Sequence, residues 1–437
     1  MWKGKLAKSR TVRSAAQPIA ASVGSAPTSN ITASENSRAS AAAVADLIKG
    51  LDFVFDQLDF ENEPGDLLQL HLERLALEAS KYDNSRIGDH CEACECEPTL
   101  GALLYAACQC SSYIYDPIMQ ADAQLIPMMT RTPSVTGTEK AACIWKMESS
   151  DTLIVSIRGT ASAADHMVNL NGQPMDASAF LGTDSGVTVN AHKGFLSCAQ
   201  TLLPVVSKDL IRLVKGDRSI SRILFTGHSA GGAVSSLLFL HMLYHDIPEL
   251  ACVSMALGTF GSPPVTSENL TSLAGDFPRC EFAFAFVNEH DIVSRADSSY
   301  IGSIIDLYRT RYGLPSVATD QPVSSQQHLE KDSQQSRAWP LPASSFYLVG
   351  DIVVLRANIL PPDMSADDAS DVPTISTRYS AITVPAEDFA KALFCEVGVH
   401  KRRLYLERIR IMTSPEKASS ILSRAETLVP RSTGSLT

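Results

Sequence analysis

Residues 221–246 read SRILFTGHSAGGAVSSLLFLHMLYHD, and this stretch decides the fold. Ile223, Leu224, Phe225 and Thr226 form a strand-like apolar run. From Ala233 the spacing predicts an amphipathic helix. Between them stands Gly227-His228-Ser229-Ala230-Gly231, a Gly-x-Ser-x-Gly at a strand-to-helix turn, which has the form of a nucleophile elbow. The turn forces Ser229 into a strained backbone conformation. Glycines two before and two after let strand and helix approach closely, and Gly232 adds a further small residue. The serine oxygen then stands at the positive end of the following helix.

A serine hydroxyl needs a base, and the base needs an orienting carboxylate. In an elbow of this kind the chain order is Ser, then Asp or Glu, then His. Asp291 follows the strand-like FAFAFVNEH and is the expected acid; Asp297 and Asp306 compete with it. His290 is adjacent, but neighbouring side chains on an extended segment point opposite ways. Downstream only His328 and His400 remain. His328 lies in a polar insertion, so His400 is the better-placed base, a surface histidine in the basic run Lys401-Arg402-Arg403 being the plain alternative. An oxyanion hole takes one donor from the backbone N–H of Ala230. The second is expected from Thr160, in the Arg158-Gly159-Thr160 turn that follows TLIVSI. Arg158 is read as structural.

Outward from this centre, ACIWKM and TLIVSI read as consecutive strands of a buried sheet. Residues 197–215 read as an amphipathic helix, ACVSMALGTF and CEFAFAFVN as further strands, and FYLVGDIVVLR as a strand pair around Gly350. Alternating strands and helices predict an α/β-hydrolase fold with a mostly parallel central sheet and helices on both faces. Four segments follow: a basic Ser/Ala-rich disordered tail over 1–42, a helical N-terminal extension over 43–90, the hydrolase domain over 91–412, and a second tail over 413–437. In the extension, Leu47, Leu51, Val54 and Leu58 form one helical stripe. Leu68, Leu72, Leu75 and Ala79 form another, with EPGD at 63–66 between. Residues 314–345 read as a polar insertion, and 385–409 as mostly helical with a break at Gly398.

The 437 residues carry 48 acids against 37 Lys and Arg, a formal charge of -11, which argues against a nucleic-acid partner. No apolar run reaches the roughly 18 residues of a spanning helix, so no transmembrane segment is expected. The acid-poor N-terminus also has the composition of a mitochondrial transit peptide, but the disordered-tail reading is preferred, with a cytoplasmic location. Ten cysteines without a secretory signal imply reduced thiols. Cys91, Cys94 and Cys96 spell C-x-x-C-x-C, which could hold zinc; small buried thiols are the preferred reading, so no metal and no cofactor is expected.

Taken together, these motifs resemble the fungal class 3 lipases, a family that includes plant and diacylglycerol lipases. Arg158-Gly159-Thr160 with Asp165 resembles its oxyanion strand and loop, and His192-Lys193-Gly194-Phe195 its His-x-Gly-Phe motif. Thr226 to Gly232 is similar to its elbow, Thr259-Phe260-Gly261-Ser262-Pro263 to its Thr-Phe-Gly-x-Pro segment, and His400 with Tyr405 to its C-terminal pattern. The chain departs where the acid is followed by Ile292-Val293 rather than Pro-Val, and where Asp165 is followed by His166 rather than Trp. The resemblance implies a Ser229, Asp291 and His400 triad and a lid between Ser162 and His192. It also implies a substrate among acylglycerol lipids, triacylglycerol or diacylglycerol, met at a membrane or lipid-droplet surface. His192 is read as structural. A lipase-like scaffold that binds partners without turnover is the alternative, and a complete set of triad candidates argues against it. The residues that bind the substrate are not legible.

Overall fold

The computed structural model describes residues 42, 44–49, 66–88, 91–94, 96–115, 124–133, 140–148, 150–159, 172–182, 188–316, 337–360 and 376–413. The tail expected over 1–42 except its last residue, the lid flank with Thr160, Asp165 and His166, most of the insertion with His328, and the tail beyond Thr413 lie outside the described residues.

In chain order the elements used below begin with helix α1 (Asp66–Ala79), strand β1 (Glu92–Ala93) and helix α2 (Pro98–Tyr113). Strands β2 (Leu125–Arg131), β3 (Ala142–Met147), β4 (Thr152–Ile157), β5 (Pro174–Asp176) and β6 (Asn190–His192) follow. Helix α3 (Lys193–Gly216), strand β7 (Arg222–His228), helix α4 (Ala230–Tyr244), strands β8 (Ser254–Phe260) and β9 (Cys280–Asn288) and helix α5 (Ser298–Arg311) form the centre. Strands β10 (Asp351–Leu360) and β11 (Ser376–Val384) and helix α6 (Arg402–Thr413) complete the chain. Among the described residues nine strands form one sheet in the order β1-β11-β10-β9-β8-β7-β4-β3-β2. The run β4-β7-β8-β9-β10 is parallel, while β2-β3-β4 and β10-β11-β1 pair antiparallel. The α/β-hydrolase architecture expected from the sequence is therefore present, with antiparallel flanks on a parallel centre.

The parallel strands are apolar almost throughout because both faces of the sheet are covered. Alternation sorts them: Ile223 and Phe225 of β7 join one core with α3 and α4, whereas Leu224 joins the other with α2 and α6. Helix α4, expected to be amphipathic, is buried on nearly every side. It packs on β7 and β8 beneath α3, so no polar face is needed.

The second stripe of the extension behaves as its spacing predicts. Leu72, Leu75 and Ala79 of α1 are buried against Ile304, Leu307 and Tyr308 of α5. His71 Nδ1 meets the Tyr308 hydroxyl at 2.7 Å. Of the first stripe, Leu47 is buried in the same cluster, and Leu51, Val54 and Leu58 lie outside the described residues.

Two local expectations are corrected. The break in the helical stretch 385–409 lies earlier and is longer than expected at Gly398: a short helix Ala386–Phe389 gives way to irregular chain, then a 3₁₀ turn Gly398–His400 and α6. Ala392, Leu393, Phe394 and Cys395 are all buried in succession, which a one-faced helix cannot do. FYLVGDIVVLR is a single strand from Asp351, preceded by isolated bridges at Tyr347 and Val349. Gly350 turns the chain at φ +90°. Strands β1, β2 and β11 carry no sequence signal that was read; β2 lies at the sheet edge with Pro127 at a bulge.

None of the ten cysteines is disulfide-bonded. Cys108 and Cys110 are buried on α2, with Cys94 and Cys96 packed half-exposed beside them. Burial pushes the Cys108 and Cys110 thiols well above their usual range, as expected of inert structural thiols. Among the described residues no group of three His, Cys, Asp or Glu could hold a metal.

Candidate active site

Strand β7 delivers Ser229 to the start of α4, and the turn is as tight as the motif implies. Ser229 has φ +58° and ψ −134°, a conformation costing a non-glycine residue about 1–3 kcal/mol. Its amide donates to Phe260 O at 3.0 Å, which ties the elbow to the end of β8. A Cβ on Gly231 would lie 2.2 Å from Ile157 O, so only glycine lets α4 cross β4 here. Ala230 is the first residue of α4, and its N–H therefore has no carbonyl within the helix to bond. It is the donor expected for an oxyanion. Thr160, the other expected donor, lies outside the described residues. Its neighbour Gly159 gives its N–H to the Tyr115 hydroxyl at 2.6 Å.

Asp291 and His400 are brought together across 109 residues of sequence, with Nδ1 of His400 2.8 Å from Asp291 Oδ2. A carboxylate oxygen accepts, so Nδ1 is the donor in this bond and Nε2 is the ring nitrogen left for other partners. The carboxylate is buried, and both of its oxygens accept hydrogen bonds. Its Oδ1 accepts the Val293 amide at 2.9 Å, and its Oδ2 also accepts the Tyr405 hydroxyl at 2.6 Å. Burial, with Asp291 alongside, pushes the Tyr405 phenol far up and keeps it a donor. Tyr405 in turn accepts the Asn288 amide at 2.9 Å. The acid and base loops are further joined by Glu396 N–H to His290 O at 2.8 Å and Ile292 N–H to Glu396 O at 3.2 Å.

His228, beside Ser229, donates Nε2–H to the His400 carbonyl at 2.8 Å, with the two rings 4.6 Å apart. Asn288 Nδ2 donates to Val399 O at 2.7 Å. Gly261, at φ +59°, faces the His400 ring; a Cβ there would sit 2.9 Å from Cε1. His228, Asn288 and Gly261 were not singled out in the sequence, although His228 and Gly261 lie inside the quoted motifs.

Three atoms in this buried constellation have no hydrogen-bond partner: Ser229 Oγ, His400 Nε2 and Asn288 Oδ1. Ser229 is 0% exposed and His400 4%. Buried polar atoms are normally satisfied, and the exceptions call for a reason. For Ser229 and His400, the roles of nucleophile and base expected from the sequence would supply one.

The remaining candidates fall elsewhere. His290 sits at φ +76° with its ring against Phe394. Asp297 caps α5, accepting from Tyr300 N–H at 2.8 Å, and Asp306 lies on α5 itself. His192 is on β6, its amide bonded to Val265 O and its ring stacked on Phe195, in keeping with a structural role.

Residues 154–300 match the family model described as Lipase (class 3). A phospholipase A1 of Arabidopsis thaliana, PLIP2, chloroplastic, is 28% identical over 168 residues, which cover 37% of this chain and 22% of that protein. The chain thus spans less than a quarter of that relative's length. Among solved structures, the Rhizomucor miehei triacylglyceride lipase is 20% identical, covering 48% of this chain and 77% of that one, with a TM-score of 0.37. A triacylglycerol lipase from Penicillium expansum is 15% identical, with coverages of 45% and 72% and a TM-score of 0.35. The segment that matches the class 3 lipase model holds the Ser229 elbow and the Asp291 loop.

Proposed function

We propose that the chain hydrolyses carboxylic esters of glycerolipids, with Ser229 as nucleophile, His400 as general base and acid, and Asp291 as the group that orients the imidazole. The observation that carries this reading is the pair of unbonded buried atoms, Ser229 Oγ and His400 Nε2, beside the Asp291–His400 hydrogen bond. Ser229 Oγ attacks the ester carbonyl carbon and its proton passes to His400 Nε2. The oxyanion is met by the Ala230 N–H, with the Thr160 N–H as second donor. Collapse breaks the bond to the glycerol oxygen, which takes the proton from His400. Water then hydrolyses the acyl-enzyme by the same steps.

Burial of Ser229 means that a substrate enters only after covering residues move, in keeping with a lid before His192. Among the described residues no helix is long and apolar enough to cross a membrane. Contact with a membrane or lipid droplet would then be peripheral. The substrate set to test is triacylglycerol, diacylglycerol and, from the name of the Arabidopsis relative, a phospholipid.

The test compares wild type and Ser229→Ala on short and long p-nitrophenyl esters, a diacylglycerol emulsion and phosphatidylcholine vesicles. Activity in the wild type that vanishes in the variant supports the reading, and the substrate ratio ranks the lipids. A folded wild type silent on every ester overturns it in favour of a binding scaffold.

A further inference from the structure

The chain that delivers His400 has little structure of its own. Residues 390–397 form neither helix nor strand, apart from the single bridge at Glu396, so their backbone groups need partners from elsewhere. Two partners come from the family core. Arg295 donates to Ala390 O at 2.6 Å and to Ala392 O at 3.3 Å, and Tyr300 Oη both accepts from Phe394 N and donates to Phe394 O at 2.7 Å.

The third partner comes from outside the core, in the segment that follows α1. Asn84 Nδ2 donates to Lys391 O at 3.0 Å, and the Asn84 carbonyl accepts from Leu393 N–H at 2.7 Å. The same side chain holds Trp339, at the far end of the insertion, through Nδ2 to Trp339 O and Trp339 N–H to Oδ1. Three residues on, Ile87 reaches the acid loop. Its N–H donates to Glu289 Oε1 at 3.3 Å, and its carbonyl accepts from Arg356 at 2.5 Å. Arg356 also pairs with Glu289 at 3.1 Å, and Glu289 lies two residues before Asp291. Ile87 itself is buried with Phe389, Phe394 and Val287.

From this juxtaposition we infer that residues 84–87 of the N-terminal extension are a brace for the Asp291–His400 pair, with Asn84 and Glu289 as positioning residues. The brace touches neither the nucleophile nor the imidazole. It fixes the spacing of the two loops whose ends carry acid and base, and it does so from outside residues 154–300, the segment shared with the class 3 lipases. The extension is thus part of the catalytic unit. An error of about 1 Å in placing a catalytic group can cost roughly a hundredfold in rate, so loosening the brace acts on turnover before it acts on binding.

The inference rests on the ester-hydrolase reading, and the test separates the two. In the full chain, Asn84→Ala, Glu289→Ala and Glu289→Gln are compared by kcat per active site, counted by titration with a fluorophosphonate. Asn84→Ala and Glu289→Ala are expected to lose roughly ten- to a hundredfold in kcat with KM little changed. Glu289→Gln, which keeps an acceptor for Ile87 and Arg356, is expected to restore most of the rate. Unchanged kcat per titrated site in both alanine variants overturns the brace. Should Asn84→Ala fail to fold, the Glu289 pair carries the same decision. An inactive wild type speaks against the hydrolase reading alone. The brace is then judged by the low-field NMR resonance of the His400 Nδ1 proton: loss in the alanine variants supports it, and persistence overturns it.

Discussion

Tyr405 Oη lies 2.6 Å from Asp291 Oδ2, the same oxygen that accepts from His400 at 2.8 Å. The phenol also accepts the Asn288 amide, so one hydroxyl links the end of β9, the acid and helix α6. Tyr405→Phe keeps the ring and removes both bonds. Leaving a buried amide and a carboxylate oxygen short of a partner costs about 1–3 kcal/mol. The expected result is a stability loss of that size in urea unfolding, with kcat reduced about tenfold, the equivalent of about 1.4 kcal/mol at the transition state. An unchanged midpoint together with unchanged kcat would show that the hydroxyl is idle.

Gly261 and Gly313 make a matched pair, since both have positive φ, +59° and +62°. A Cβ on Gly261 would press on the His400 and Tyr405 rings at 2.9 and 3.0 Å, whereas one on Gly313 meets nothing within 4 Å. Alanine at either site carries a backbone penalty of about 1 kcal/mol. Only Gly261→Ala is expected to cut kcat, by roughly a hundredfold through a displaced imidazole. Equal kcat values in the two variants would refute the steric account.

Stability is expected to fall as the solution is acidified below about pH 6.5. Burial holds His71 and His241 below their ordinary range, assisted by Arg74 beside the first and His245 beside the second. A folded pKa below the unfolded value of about 6.5 means the unfolded chain takes up protons first. The stability these groups contribute is therefore whole above that pH and declines as pH falls through the lowered folded values. Urea midpoints at pH 7.5 and 5.5 measure the slope, and His71→Gln with His241→Gln should flatten it. The same slope in the double variant would assign it to other groups.

Most of the centre was legible because its physics is local. A strand, a Gly-x-Ser-x-Gly turn and a helix are written into residues 222–244, and Asp291 announces itself at a strand end. The approach of His400 was legible only through chain order, and its surroundings were misread as helix. The cause is tertiary: Arg295, Tyr300 and Asn84 take the backbone bonds that a helix would have made for itself. Asn288 and His228 were missed for the same reason, since each bonds a carbonyl more than 100 residues away in sequence. The antiparallel flanks escaped because β1 has only two residues, β2 is interrupted by Pro127, and β11 depends on β10 for its register.

The order in which the chain is made gives the Asp291–His400 contact a temporal meaning. Translation proceeds N-terminus first at about 5–20 residues per second, and 171 positions (400 − 229) separate Ser229 from His400. A ribosome therefore adds the serine elbow roughly 10–30 s before it adds the imidazole. On the reading proposed for Ser229, the nascent polypeptide is chemically silent for that interval, and hydrolytic competence arrives only when the segment that carries His400 folds back onto the end of β9.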